Sequence, residues 1–343
     1  MNPLRIGIVG AGMFGRRHAA IIAGEPQCIV AAVADPTADA RAWAAAQGHA
    51  HFDGHDAMLA AARLDGVIVA TPNATHVPVA LACVRRGLPV LVEKPIAETV
   101  AGGRELVAAA GRAGVPLLVG HHRRYNPIME QARAIVQQGR LGRLTAVTAM
   151  WMLQKPDPYF DVAWRRGPSG GPVLINLVHD IDDLRYVCGE IASVVAITAN
   201  GVRGFAVEDS AAIALRFASG ALGTITVSDA VAAPWSWELT SGEAPAYPQR
   251  PENCYLFAGT QGALAVPRLQ LWRYAGETGW NAPLSCETIT VASADPLARQ
   301  IAHFCRVIRG EESPRIDGAD ALATLAATMA VHEAAASGRA VEL

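Results

Sequence analysis

The sequence predicts an α/β protein of two domains, an N-terminal doubly wound parallel sheet and a second α+β domain on a mixed, largely antiparallel open sheet. Three observations carry this. Up to residue 122 short apolar runs alternate with alanine-rich helical stretches, the rhythm of βαβ units. The first apolar run passes straight into the glycine turn Gly10-Ala11-Gly12-Met13-Phe14-Gly15. Beyond 122 the order becomes helix, irregular segment, helix, and then β-rich sequence over 191–291. A length of 343 residues suits two domains, and the expected division is 1–122 and 123–343.

In the first domain strands are expected at 4–9, 29–34, 66–70, 88–92 and 116–120, separated by helices near 14–24, 37–47, 75–86 and 98–113. Gly87 and Gly114 fall just past helical stretches, with Pro89 and Pro116 two residues later, as stop signals. The second domain opens with a helix at 127–138, an irregular segment at 152–172 and a helix at 173–187. Its expected strands are Val194–Ala199, Ala211–Phe217, Ala221–Ser228, Ser236–Thr240, Cys254–Ala258 and Gly262–Val266. Helices Asp295–Val307 and Gly318–Ser337 close the chain, with Gly338 as the stop.

Hydrophobic residues make up 51% of the chain but are interrupted everywhere by polar residues, Gly and Pro, so no uninterrupted apolar span fits a membrane helix. A net charge of −2 and a pI near 6.6 provide no basic field for nucleic acid or an anionic membrane. No secretory signal precedes the strand at Leu4, and a cytoplasmic location is expected. The cysteines (Cys28, Cys83, Cys188, Cys254, Cys286 and Cys305) lie far apart without CxxC spacing, so neither disulfide nor metal is expected.

The glycine turn has the GxGxxG spacing of a dinucleotide-binding Rossmann domain. Gly10 permits the tight turn, Gly12 lets the backbone approach a pyrophosphate with Met13 and Phe14 alongside, and Gly15 lets the helix pack on the sheet. The second strand ends on Asp35, twenty positions after Gly15, where an acid hydrogen-bonds the adenosine ribose. That carboxylate would repel a 2′-phosphate, and Pro36, Thr37 and Ala38 bring no base before Arg41, so the expected cofactor is NAD.

Other candidates stand at strand ends. Thr71-Pro72-Asn73 follows the third expected strand, where position alone leaves cofactor contact evenly balanced against a plain turn with His76 as an ordinary cap on the next helix. Glu93 and Lys94 follow the fourth, at the edge where ligands of open α/β sheets bind, and Pro95 holds the turn. A partly desolvated lysine there can exchange a proton with a substrate hydroxyl as hydride leaves the same carbon. At the crossing between the domains His122 and Arg123 face either a ligand or, as a charged hinge, acids of the other domain. Downstream, Gly170-Gly171 opens a helix on which Asn176 and His179 share a face. Trp235 and Trp237, two apart on an expected strand, project to one side for a sheet core, a subunit contact or a sugar ring. The stretch from Gln154 to Phe160 is expected to lie over the pocket as a lid.

These motifs together resemble the two-domain oxidoreductases that include glucose-fructose oxidoreductase, inositol 2-dehydrogenase and the rhizopine-catabolism protein MocA. The resemblance rests on Gly10 to Gly15, Thr71-Pro72-Asn73 with His76, Glu93-Lys94-Pro95, and Gly170-Gly171 leading to His179, and it spans the whole chain. It implies Lys94 and His179 as proton-transfer partners and His122, Arg123, Asn176 and His179 at the substrate. It also implies Thr71, Pro72, Asn73, His76, Glu93, Lys94, Trp164 and Arg165 at the cofactor. The family places an aspartate four residues before the histidine, and this chain has Ile175 there, so Asn176 or Asp180 substitutes or the substrate lacks the hydroxyl that aspartate would hold. Asp182 and Asp183 are expected to buttress the helix or pair with Arg185.

The expected activity is NAD-dependent hydride transfer to or from a carbinol or carbonyl carbon of a sugar, cyclitol or sugar acid, by a homodimer or homotetramer. Rival readings are an epimerase, lyase or hydrolase that recycles tightly bound NAD, a reductase of a non-sugar ketone or imine, and a non-catalytic NAD-binding regulator.

Overall fold

Six strands pair in parallel in the N-terminal sheet of the computed structural model, which describes residues 2–167 and 170–343. They are β1 (Leu4–Val9), β2 (Cys28–Ala34), β3 (His51–Phe52), β4 (Gly66–Val69), β5 (Val90–Val92) and β6 (Leu117–Val119). Their order is β3-β2-β1-β4-β5-β6, so the direction of strand addition reverses between β1 and β4, the switch point where such sheets take ligands. Strands β4, β5 and β6 are buried along their whole length because helices cover both faces, which is why they read as unbroken apolar runs. Helices Met13–Ala23, Ala38–Ala46, Asn73–Val84 and Val100–Ala113 stand where expected. Strand β3 and helix His55–Ala61 were not expected, being two and seven residues long with little apolar pattern.

The unit built on this sheet is the chain up to Tyr125 together with Asp295–Leu325. The expected division at 122, with everything beyond it in the second domain, differs from this. The return has a physical cause: helix Pro296–Ile308 buries Ile301, Phe304 and Cys305 in one cluster with Ile6, Ile8 and Ile22. Arg124 forms an ion pair with Asp320, and Arg315 donates to the Arg124 carbonyl at 3.1 Å, which fastens the chain return to the end of the unit.

The second unit, Asn126–Ala294 with Ala326–Leu343, carries nine strands. These are β7 (Leu144–Met152), β8 (Ile191–Ala199), β9 (Ser210–Phe217), β10 (Leu222–Ser228), β11 (Tyr255–Gly259), β12 (Ala263–Val266), β13 (Gln270–Tyr274), β14 (Leu284–Thr288) and β15 (Val341–Glu342). They run in the order β14-β13-β12-β11-β7-β10-β9-β8-β15. The β7–β10 pair is parallel and the other pairs are antiparallel. One face is covered by helices Pro127–Gln137 and Val178–Cys188 and the last turns of Gly318–Ser337, which bury Met129, Ile135, Ile181, Leu184 and Val331 against Val147, Ile213 and Ile225. Burial alternates along β9 and β10, as a sheet with one open face requires.

The expected strand Ser236–Thr240 is instead a short helix, Trp237–Thr240, because the Ser236 hydroxyl caps it by accepting the Leu239 N–H at 3.3 Å. Trp235 and Trp237 therefore share no strand face. Trp237 is buried, stacks on Tyr255 with ring centroids 6.0 Å apart and donates its Nε1–H to Glu243 at 3.1 Å. Within the expected irregular segment, Pro168 and Ser169 lie outside the described residues. Among the described residues no helix is long and apolar enough to cross a membrane.

Candidate active site

The glycine turn after β1 lines a cavity of about 630 Å³ with Met13, Phe14, Asp35, Pro36, Thr71 and Pro72. Gly10 has φ +92°, and a Cβ there would meet the Ala70 carbonyl oxygen at 2.5 Å. A Cβ on Gly15 would lie 1.9 Å from the Gly10 oxygen, so Gly15 serves helix packing and does not face the cavity. Around Gly12, by contrast, nothing lies within 4 Å of the added carbon, and no side chain caps helix Met13–Ala23 at its N-terminus. The cradle is open where a pyrophosphate would rest and closed elsewhere, so these residues fit a dinucleotide.

Asp35 is held at the end of β2. One carboxylate oxygen accepts the Ala11 N–H at 2.9 Å, and the other accepts the Thr37 N–H at 2.9 Å and hydroxyl at 2.6 Å. Burial pushes its pKa up, but these bonds outweigh burial and leave it below the usual carboxylate range. Arg16 and Arg41 are each engaged by an acid, Arg16 by Asp39 and Arg41 by Asp53.

At the carboxyl end of β4, Thr71 and Pro72 line the cavity, and the Thr71 hydroxyl is buried without a hydrogen-bond partner. Asn73 begins helix Asn73–Val84 and, like His76, is not part of the cavity lining. His76 is buried, with Nδ1 2.8 Å from the Pro95 carbonyl and Nε2 2.8 Å from the Thr71 carbonyl. Burial holds its pKa below the ordinary histidine value, and it braces the loops after β4 and β5.

Glu93 is engaged within its own unit. Its Oε1 stands 2.7 Å from His18 Nε2, and its Oε2 accepts the Lys94 N–H at 3.3 Å. Complete burial pushes the carboxyl up, yet the His18 hydrogen bond and the charges of His18, His122 and Lys94 hold it below its ordinary value. Its neighbour Gly120 packs closely on it, since a Cβ there would lie 3.0 Å from Glu93 Oε2 and press on the carboxylate. Lys94 itself is half-buried directly after β5. His122 and Arg123 lie on the short 3-10 turn His122–Tyr125 after β6, His122 half-buried and Arg123 buried. His18 was missed by sequence reading, where a lone histidine on an alanine-rich helix gives no signal of a partner 75 positions away.

In the second unit, Trp164 and Arg165 lie on the 3-10 turn Ala163–Arg166. Trp164 is half-exposed, and Arg165 stacks 4.1 Å from the Tyr159 ring centre and donates to the Tyr159 carbonyl at 2.7 Å. The expected lid from Gln154 to Phe160 is anchored: Gln154 bridges Ala230, Lys155 donates its N–H to the Asp229 carbonyl at 2.9 Å, and Phe160 is buried against Phe205. The glycine pair is required sterically, since a Cβ on Gly170 would meet the Arg165 oxygen and one on Gly171, at φ +81°, would meet Glu208 Oε1, each at 2.4 Å. Glu208 Oε1 accepts the Val173 N–H at 3.0 Å and so secures the start of the following helix.

That helix begins with a π-helical turn, Val173–Leu177, before the α-helix Val178–Cys188. A π turn inserts a residue relative to α register, so counting four positions back from His179 does not alone define which side chain shares its face. Ile175 and Asn176 are both half-buried, His179 is buried, and the Asn176 side-chain oxygen is buried without a hydrogen-bond partner. Asp180 is excluded as the substitute for the missing aspartate, because it accepts the Tyr255 hydroxyl at 2.5 Å in the sheet core. Asp183 takes the same hydroxyl at 3.1 Å, and Arg185 pairs with Glu190 at 2.8 Å. Among the described residues no group of three His, Cys, Asp or Glu side chains could hold a metal ion.

Comparison with known proteins agrees with this architecture in both units. Residues 4–121 match the model of the oxidoreductase family with an NAD-binding Rossmann fold, and residues 129–265 match the GFO/IDH/MocA C-terminal domain. The chain is 32% identical over 285 residues to 1,5-anhydro-D-fructose reductase of Ensifer adhaerens, covering 82% of this chain and 80% of that protein. It is 28% identical over 348 residues to inositol 2-dehydrogenase of Rhizobium meliloti (strain 1021), covering 99% of each. The crystal structure of the WlbA dehydrogenase from Bordetella pertussis in complex with NADH and UDP-GlcNAcA superposes with a TM-score of 0.84 at 27% identity, over 100% of this chain and 99% of that one. The chain belongs to the GFO/IDH/MocA family of NAD-binding oxidoreductases.

Proposed function

We propose that the protein is a dehydrogenase that uses NAD in preference to NADP and acts on a carbinol or carbonyl carbon of a small polyhydroxy molecule, a sugar, cyclitol or sugar acid. The observation that carries the reading is the cradle around Gly12, open to a pyrophosphate and closed at its acceptor end by Asp35. Bound NAD supplies the two-electron step by taking up or giving back a hydride. Gly12, Met13 and Phe14 hold the diphosphate, Asp35 the ribose, and Thr71 and Pro72 the dinucleotide wall. Lys94 exchanges the hydroxyl proton of the substrate, with His179 as the second proton-handling group. Asn176 offers its buried side-chain oxygen to a substrate hydroxyl, and His122 and Arg123 present donors to substrate oxygens. The names of the relatives, a reductase of an anhydro-sugar and a dehydrogenase of inositol, support a polyhydroxy substrate.

A homodimer or homotetramer suits the open face of the second sheet, which exposes Val195, Ile197, Leu222 and Leu256. Light scattering that returns a monomer at micromolar concentration would remove that part. All six cysteines are free thiols, in keeping with a reducing cytoplasm. The decisive experiment is a screen of polyols and hydroxy acids with NAD, read as NADH formation. Stoichiometric NADH from one of them supports the proposal, and bound NAD that is reduced and reoxidised without release supports an enzyme that recycles its cofactor.

A further inference from the structure

Lys155 has no part in the chemistry above, yet it is a lysine with only 7% of its surface exposed. Its Nζ lies 3.5 Å from Asp229 Oδ2, an ion-pair separation longer than a normal hydrogen bond, and it has no hydrogen-bond acceptor. Asp229 is already claimed by Arg203, whose Nε donates to Oδ1 at 2.7 Å. The ammonium rests 4.8 Å from the centre of the Tyr159 ring and 5.3 Å from that of Trp151. Arg165 stands over the same Tyr159 ring at 4.1 Å, and its Nε is likewise buried without a hydrogen bond.

Two cations thus share one aromatic ring, with buried donors unused on both. Like charges held this close repel, and a buried ammonium whose N–H groups lack acceptors is costly. Burial lowers the Lys155 pKa in spite of Asp229, so the acids present do not fully offset its desolvation. Asp229 is the carboxylate beside Lys155 and is shared with Arg203, so a further anion with two acceptor oxygens would meet the Lys155 ammonium and the Arg165 guanidinium together.

We propose that Lys155 and Arg165 form a carboxylate subsite beside Tyr159, and that the substrate is a polyhydroxy carboxylic acid, not a neutral sugar or cyclitol. This rests on the dehydrogenase reading only for the statement that the acid is turned over. The subsite itself is a binding claim.

The test uses the full chain with saturating NADH and two matched pairs of probes, myo-inositol against quinate and D-glucose against D-glucuronate, titrated by calorimetry. At least one acid should bind tenfold or more tightly than its neutral partner. That ratio should fall close to one in Lys155→Gln, fall several-fold in Arg165→Gln and be largely kept in Lys155→Arg. Should Lys155→Gln fail to fold, the more accessible Arg165→Gln carries the test. Ratios near one in the unmodified protein, no measurable binding of either acid, or a ratio untouched by both glutamine variants would each overturn the subsite. So would tighter binding of D-glucose 6-phosphate than of either acid. An acid that binds with the expected preference but gives neither NADH with NAD nor, as its keto form, NAD with NADH counts against the dehydrogenase reading and leaves the subsite standing.

Discussion

His18 and Glu93 share a buried hydrogen bond of 2.7 Å that ties helix Met13–Ala23, which follows the glycine cradle, to the residue immediately before Lys94. Removing one partner of such a pair leaves an uncompensated buried group, so His18→Ala is expected to destabilise the protein by about 3 to 5 kcal/mol. The folded Glu93 carboxyl has a pKa below its ordinary 4.5, so its contribution is fully present above that value and is lost as pH falls through the folded pKa. Urea unfolding of parent and variant, repeated from neutral pH down through the folded pKa of the carboxyl, measures both effects. A loss under 1 kcal/mol at neutral pH would show the pair to be incidental.

Asp35 is proposed to set cofactor choice. Parent protein is expected to bind NAD at least tenfold more tightly than NADP, and Asp35→Ala to narrow the gap, since about 1.4 kcal/mol per tenfold is within reach of one repelled phosphate. The same carboxylate holds the Ala11 N–H, so the variant should also weaken NAD itself. Calorimetric titration of both dinucleotides decides the matter, and equal affinities in the parent would end the argument.

Lys94→Ala should reduce turnover by about 10² to 10⁴ while NAD affinity changes little, because the lysine is assigned to proton transfer and not to holding the dinucleotide. Steady-state rates on the substrate found by screening, with NAD titrated in parallel, test the separation. Turnover within a few-fold of the parent would refute the role.

Ile175→Asp distinguishes a pocket shaped for its present substrate from one that has drifted. The substitution places a carboxylate on the half-buried π turn beside Asn176, and in an adapted pocket it lowers turnover of the true substrate through desolvation. Paired rates of parent and variant on inositol and glucose check this, and a clear gain in the variant would mean that the site is an altered neutral-sugar pocket.

The first sheet, the glycine cradle and Asp35 were legible in the sequence because each depends on local pattern. Buried parallel strands must be apolar throughout, and the approach of Ala70 to Gly10 leaves no room for a side chain. Local pattern also identified Lys94 and His179 as candidates by resemblance. Partners far apart along the chain decided the rest. Glu93 and His76 stand out by their place after strands, and only the folded chain shows Glu93 bonded to His18 and His76 to two carbonyls. Ser236–Thr240 has the alternation of a strand, yet a capping hydroxyl turns it into a helix. Lys155 drew no notice in the sequence, since a lysine is ordinarily solvated, and only tertiary packing buries it among Trp151, Tyr159 and Asp229. Sequence by itself determined backbone conformations and the residues able to do chemistry. Tertiary structure decided which of those residues are spent on one another, because burial compels every polar group to find a partner and the partner is set by the fold, not by the neighbouring sequence.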